Sequence, residues 1–254
     1  TRYIGDWSSD VCSSDLWDRA IAAAGETLEI VPGLELSTVH NDRSLHILGF
    51  YPNRAVLAKP LQDRIAGRHR RAQAMVAKLA KLGCPSQLPD LPDDAAPGRP
   101  HIAAALVAAG YVKTQQAAFN HWLGERGPAY VPYEPLSAVD GIQMLLNCGA
   151  VPVWAHPYLF RGGTVATVLP ELVAAGLMGV EVYHPHHSPS DIRHLEAACD
   201  RDGLLMTGGS DYHGPTKEPS RGYVNLNGLG LSLDLLPPLK QAAAELKQRC
   251  GAAG

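Results

Sequence analysis

Asp211 and His213 stand one residue apart in LLMTGGSDYHG (204–214), where an apolar run ends in two glycines. An acid and an imidazole leaving the end of a buried strand make a metal-ligand pair, but the pair alone cannot hold a catalytic ion. Three further residues share its character. Glu35 lies in PGLELST, His46 in LHILGFY and His156 in VWAHP, each in or just past an apolar run. Imidazole and carboxylate donors together suit Mn, Fe or Zn better than Ca or Mg. A carboxylate such as Glu35 can bridge two ions, holding them ~3.5–4 Å apart for in-line displacement at phosphorus. Taken singly, each residue has a bland account: His156-Pro157 as a turn, Glu35 as the partner of an arginine. The recurrence at successive strand ends is what points to a metal centre.

The elements that must position these residues alternate along the chain. LEIV (28–31) and LELSTV (34–39) read as strands separated by Pro32 and Gly33. SLHILGFY (44–51) reads as a strand paired to the previous one across His40-Asn41-Asp42-Arg43. Residues 61–82 carry a helical pattern with Ile65, Met75, Val76 and Leu79 as its apolar stripe. CPSQLPDLPDDAAPGRP (84–100) breaks the pattern, and HIAAALVAAGYV and TQQAAFNHWLGERG then suggest two short helices. From Ser137 a helix (137–148), the strand VPVWA, a helix (165–175), the strand GVEVY, a helix (190–202) and the strand LLMT follow in turn. Such short apolar runs fit strands buried on both faces of a parallel sheet. Repeated βα units imply a barrel or a doubly wound sheet, and polar residues gathered after strand C-termini favour the barrel. Residues 61–129 interrupt the alternation and read as an inserted helical subdomain, dividing the barrel into 17–60 and 130–254. LKQAAAELKQRC reads as a closing helix.

Composition narrows the setting. The chain has 254 residues and a formal net charge of −3, with no global reason to bind nucleic acid or a membrane. Its five cysteines are odd in number, scattered and free of any CxxC pair, which argues for a reducing compartment and a cytoplasmic protein. No apolar run approaches the ~20 residues of a membrane span, and no secretion signal is apparent. Residues 1–16, TRYIGDWSSDVCSSDL, resemble a translated sequencing adapter rather than the start of a packed domain. The protein's own sequence is expected to begin near Trp17, inside a helix, with the preceding part lost.

PGLELST, LHILGFY, AHP and TGGSDYHG resemble the later motifs of the PHP (polymerase and histidinol phosphatase) metallohydrolases. More closely, GRPHIAAALVAAGYV, GERGPAYVP and EVYHPHHSP resemble the branch of 3′,5′-nucleoside bisphosphate phosphatases, also described as 5′-to-3′ exoribonucleases. The resemblance spans residues 17 to 235. It implies a distorted (βα)7 TIM-like PHP barrel with a small helical insert and a trinuclear site at its C-terminal face. It assigns Glu35 as a bridging ligand, with His46 and His156 completing one ion's shell, Asp211 serving a second ion and His213 a third. Glu35, Asp211 and His213 would then stand at the catalytic centre. The ions would be divalent, Mn²⁺ first, with Zn²⁺ or Fe²⁺ as alternatives. The implied substrate is a 3′,5′-bisphosphonucleotide, with RNA 5′ ends as a second; no membrane and no stable protein partner is implied. The family's N-terminal His-X-His strand, the acid or His after it and its Thr-Asp-His-Asp turn have no counterpart here. The first strand or strands of the barrel are therefore expected to be missing, and activity to be greatly reduced.

Arg99 and His101, at the start of a helix in GRPHIAAAL, and Arg161 in HPYLFRGG are candidate phosphate contacts, because a guanidinium offers phosphate a bidentate fork. His184, His186 and His187, interleaved with Pro185 and Pro189, read as a plain loop. The basic run RIAGRHRRAQAMVAK reads as a solvated helix face, with a guiding role for an RNA end as the alternative. Competing functions are a noncatalytic PHP module that binds metal or nucleotide, a histidinol-phosphate-type phosphatase, and an amidohydrolase-type deaminase.

Overall fold

Asn41 and Asp42 both take positive φ, 48° and 58°. Two left-handed residues in a row make the two-residue turn whose twist matches a hairpin, and Asn and Asp tolerate that conformation better than other side chains. The turn joins β1 (Gly33–His40) to β2 (Arg43–Phe50) as antiparallel neighbours. Our structure is a computed structural model, which describes residues 14–26, 28–88, 97–124, 126–132, 136–212 and 228–251.

β2 pairs antiparallel with β3 (Val151–Trp154), and β3, β4 (Gly179–Tyr183) and β5 (Leu205–Gly208) then run parallel. The sheet has five strands in the order β1-β2-β3-β4-β5. It is mixed rather than all-parallel, because a two-residue turn can join only antiparallel strands. The register sets Glu35 opposite Leu48 and Leu48 opposite Val153, so these three share a face. Two residues along the strands, Ser37 faces His46, and Glu181 faces Thr207 on that same face.

That face is apolar at one end and polar at the other. Phe50, Val151 and Val153 form a core with Val31 and with Leu239, Ala242, Ala243 and Leu246 of α8 (Leu236–Gly251). The opposite face packs on α5 (Ala138–Asn147): a Cβ added to Gly49 would strike Leu145, and one added to Gly141 would strike Thr38. α6 (Val165–Ala174) and α7 (Pro189–Asp202) make the crossovers between the parallel strands. Thr164 and Ser188 cap their first turns by accepting the N–H of Thr167 and Asp191.

LEIV is not a strand: residues 28–32 lie outside the ladder. Pro32 has no N–H to donate, and the apolar character of the segment comes from burial of Val31, 1% exposed, in the core under α8. The helix expected over 61–82 begins earlier. α2 (Arg54–Lys81) starts where Asn53 Oδ1 accepts the N–H groups of Ala55 and Val56, and it continues through Pro60. α1 (Ser14–Ala24) includes the last three residues of the adapter-like segment, whose residues 1–13 lie outside the described residues.

The chain forms two compact units, Thr1–Ala58 with Pro135–Gly254, and Lys59–Glu134. The second contains most of α2, α3 (Arg99–Ala108), α4 (Gln115–Ala118) and a π-helical turn over Phe119–Leu123. Its core is built from Met75, Leu79, Ile102, Leu106 and Leu123. Among the described residues, no helix is long and apolar enough to cross a membrane.

Candidate metal centre

Glu35 and His46 come from inside paired strands, so their positions follow from the hairpin register. Their side chains project from one face, two register positions apart, and His46 Nδ1 contacts Glu35 Oε1 directly. His156 arrives from the residue after Ala155, whose N–H donates to the carbonyl of His46. His156 Nε2 lies 3.5 Å from the same Glu35 oxygen and 3.3 Å from His46 Nδ1. The three ligating atoms all fall within 4.8 Å of one another. So close a set of electron-pair donors needs a cation among them, either protons on the imidazoles or a metal ion. Two imidazole nitrogens and one carboxylate oxygen fit a divalent transition ion. Ser44 Oγ lies 3.1 Å from His46 Nε2, the ring nitrogen turned away from Glu35.

Burial by itself would raise the Glu35 carboxyl. Hydrogen bonds from His156 and His46, with the charge of both rings, outweigh that and hold it down at about 2. The side chain is therefore a carboxylate, 7% exposed, through the ordinary pH range.

The strand-end residues are held differently. His156 has φ 33° and ψ 61°, left-handed and rarely adopted by a non-glycine residue. Its N–H donates to Glu181 Oε2 at 2.9 Å, and Glu181 is itself buried in β4. Asp211, just past β5, is left-handed too, with φ 51°. Its Oδ2 lies 3.6 Å from His184 Nε2, and the His184 ring sits 5.5 Å from that of His156. Strained backbone of this kind persists where surrounding structure over-determines it, and it clusters at functional sites.

Two further residues belong to the surroundings of the centre: Glu181, which no motif marks, and His184, which reads in sequence as part of a plain loop. The loop assignment for His184, His186 and His187 describes their backbone, but His184 and His187 are buried, 2% and 7% exposed. Burial pushes both rings down from the usual histidine range; Asp211 works against this at His184, and the Val182 carbonyl at His187. A signal existed. His184 follows GVEVY as His156 follows VPVWA, and Glu181 is a lone acid in an otherwise apolar run.

The described residues bring Glu35, His46 and His156 together, and Asp211 reaches them through His184. His213 lies outside the described residues. Arg161 is exposed and lines a cavity of about 460 Å³ with Tyr158, Thr164, His194 and Arg201. Arg99 and His101 lie in the second unit. The Arg99 guanidinium stands 5.7 Å from the Phe119 ring centroid and 5.8 Å from that of Tyr130, and His101 Nδ1 accepts the Gly98 N–H at 3.0 Å. Arg71 shares the Tyr130 ring at 5.6 Å, and its own desolvation together with Arg99 lowers its basicity.

No family model matches the chain. It is 31% identical over 214 residues to the 3′,5′-nucleoside bisphosphate phosphatase of Chromobacterium violaceum, covering 80% of this chain and 74% of that one. With the 5′-3′ exoribonuclease Rnm of Escherichia coli it shares 29% identity over 204 residues, 77% of this chain and 69% of that one. Among solved structures it resembles one from Bifidobacterium adolescentis, provisionally described as a metal-dependent phosphoesterase. That match has a TM-score of 0.69 and 29% identity, over 94% of this chain and 85% of the other.

Proposed function

The chain belongs to the PHP family of phosphoesterase-type hydrolases, and from that membership we propose that it removes the 3′-phosphate of 3′,5′-bisphosphonucleotides. The observation that carries this is the likeness to a bisphosphate phosphatase across 80% of the chain, joined to the Glu35–His46–His156 donor set. Trimming of RNA from its 5′ end is a second reading, favoured by the likeness to an exoribonuclease. In this proposal Glu35, His46 and His156 hold one divalent ion. Asp211, with Glu35 as the shared carboxylate, serves a second, and His213 a third. Mn²⁺ is the ion proposed, with Zn²⁺ and Fe²⁺ as alternatives. The strands belong to a distorted (βα)7 barrel formed by residues 17–60 and 130–254, with 61–129 as its insert.

A bound divalent ion would supply positive charge for the oxygens at phosphorus and acidify a water near neutral pH. The chain's own residues do the rest. Glu35, ionised far below neutral pH, offers its oxygen to both imidazoles, while the strands and Glu181 fix the geometry of the three donors. Arg99, His101 and Arg161 are the proposed phosphate contacts, since guanidinium groups bind phosphate through paired N–H donors. Water attacks phosphorus, the bond to the 3′-oxygen breaks, and inorganic phosphate and a nucleoside 5′-monophosphate leave. Buried thiols at Cys84 and Cys199 are in keeping with a reaction in the cytoplasm.

The test is phosphate release from adenosine 3′,5′-bisphosphate with added Mn²⁺, beside histidinol phosphate and a 5′-phosphorylated RNA. Mn²⁺-dependent release from the bisphosphate, slow in this chain and lost in Glu35→Ala, is expected. Release from histidinol phosphate alone would overturn the substrate assignment.

A further inference from the structure

His184 touches two of the proposed ligands yet is assigned no role by them. Its side chain is fully buried, its ring lies 5.5 Å from His156, and its Nε2 lies 3.6 Å from Asp211 Oδ2. Its other nitrogen decides what Nε2 can do. Nδ1 accepts the backbone N–H of His186 at 3.2 Å, and a ring nitrogen that accepts an N–H carries no proton. The proton therefore resides on Nε2, a buried atom that has no hydrogen-bond partner within 3.5 Å and whose neighbouring acid is Asp211, with Oδ2 3.6 Å away. A protonated Nε2 has no lone pair for a metal, so His184 is excluded as a ligand through the atom nearest the site.

The neighbouring imidazole makes the contrast plain. His187, whose ring lies 5.2 Å from that of His184, donates its Nδ1 proton to the Val182 carbonyl at 2.9 Å, so its Nε2 holds the lone pair. Two buried rings in one loop are thus set in opposite tautomers by the backbone around them. A purely space-filling histidine would need no such arrangement. A residue that must present one N–H to a carboxylate would.

We propose that His184 is a positioning residue: its Nε2–H holds the Asp211 carboxylate, kept in a left-handed backbone conformation, in the orientation in which it binds metal. This rests on the reading of Asp211 as a metal ligand. Metal-binding side chains are commonly oriented by hydrogen bonds of this outer kind, and losing one costs about 10–100-fold in metal affinity.

The test uses the full chain, Mn²⁺ alone as probe, and two conservative variants read by competition against a chelator. Gln places its amide nitrogen near Nε2 and keeps a donor for Asp211; Asn places its amide near Nδ1 and keeps only the contact with the His186 N–H. His184→Asn is expected to bind Mn²⁺ about 10–100-fold more weakly, and His184→Gln to recover most of that loss. Equal affinities for His184→Asn and the parent, or no advantage of Gln over Asn, would overturn the proposal. Asp211→Ala separates the premise from the inference. If that variant binds Mn²⁺ as the parent does, Asp211 is not a ligand and the assignment beneath the inference fails. If it loses Mn²⁺ while His184→Asn does not, only the positioning role fails.

Discussion

Two kinds of candidate donor are present, Glu35, His46 and His156 gathered in one cluster and Asp211 beside His184. Glu35 and His46 project from paired strands with ordinary extended backbone, whereas His156 and Asp211 stand past strand ends in left-handed conformations, at φ 33° and 51°. A strand residue inherits its direction from a ladder of hydrogen bonds shared with its whole sheet. A strand-end residue has no ladder and depends on individual side chains. Here those are Glu181, which takes the His156 N–H, and His184, which faces Asp211. One pair of donors is thus positioned by topology and the other by buried polar contacts.

The sharpest break of this comparison is at the atom common to its first half. Glu35→Ala removes the oxygen shared by both imidazoles and is expected to abolish Mn²⁺ binding at the triad, read by elemental analysis. Mn²⁺-dependent hydrolysis should fall beyond the about 100-fold typical of losing an outer contact. Next comes the support of the strand ends. Glu181→Ala should weaken Mn²⁺ binding about 10–100-fold, while Glu181→Gln, which still offers an oxygen to the His156 N–H, should lose much less. Equal losses in a Mn²⁺ titration would mean that the charge of Glu181, not its hydrogen bond, is what matters.

Acid should probe the strand pair. The Glu35 carboxyl lies at about 2 in the folded chain against an ordinary 4.5, so the unfolded chain binds more protons between these values. Stability from this group is complete above about pH 4.5 and is lost as pH falls towards 2. Urea denaturation of the metal-free chain should show that decline, and Glu35→Gln should flatten it. The smallest effect is expected at the turn. Asp42→Val places a branched side chain at φ 58° and should cost about 1–2 kcal/mol of stability in urea, with the register of Glu35 and His46 retained.

Gly-Gly before Asp211, and Glu35, His46 and His156 at the ends or faces of apolar runs, are local features, and the donor set among the described residues could be listed from them. The hairpin was equally legible, because Asn41 and Asp42 carry the chemistry that a tight turn requires. LEIV misled because apolar character records burial and not hydrogen bonding: Val31 is buried under α8, 205 residues from that helix's start in sequence, and Pro32 cannot join a ladder. Sequence by itself determined the types of the candidate metal-binding residues, the turn and most of the helices, since each depends on neighbours within a few positions. Only the tertiary structure decided that the hairpin adds an antiparallel start to the parallel strands, that Glu181 accepts the His156 N–H, and that His184 lies beside Asp211. Those facts depend on contacts between residues 25 or more positions apart, and no local pattern encodes which buried polar group will find which partner.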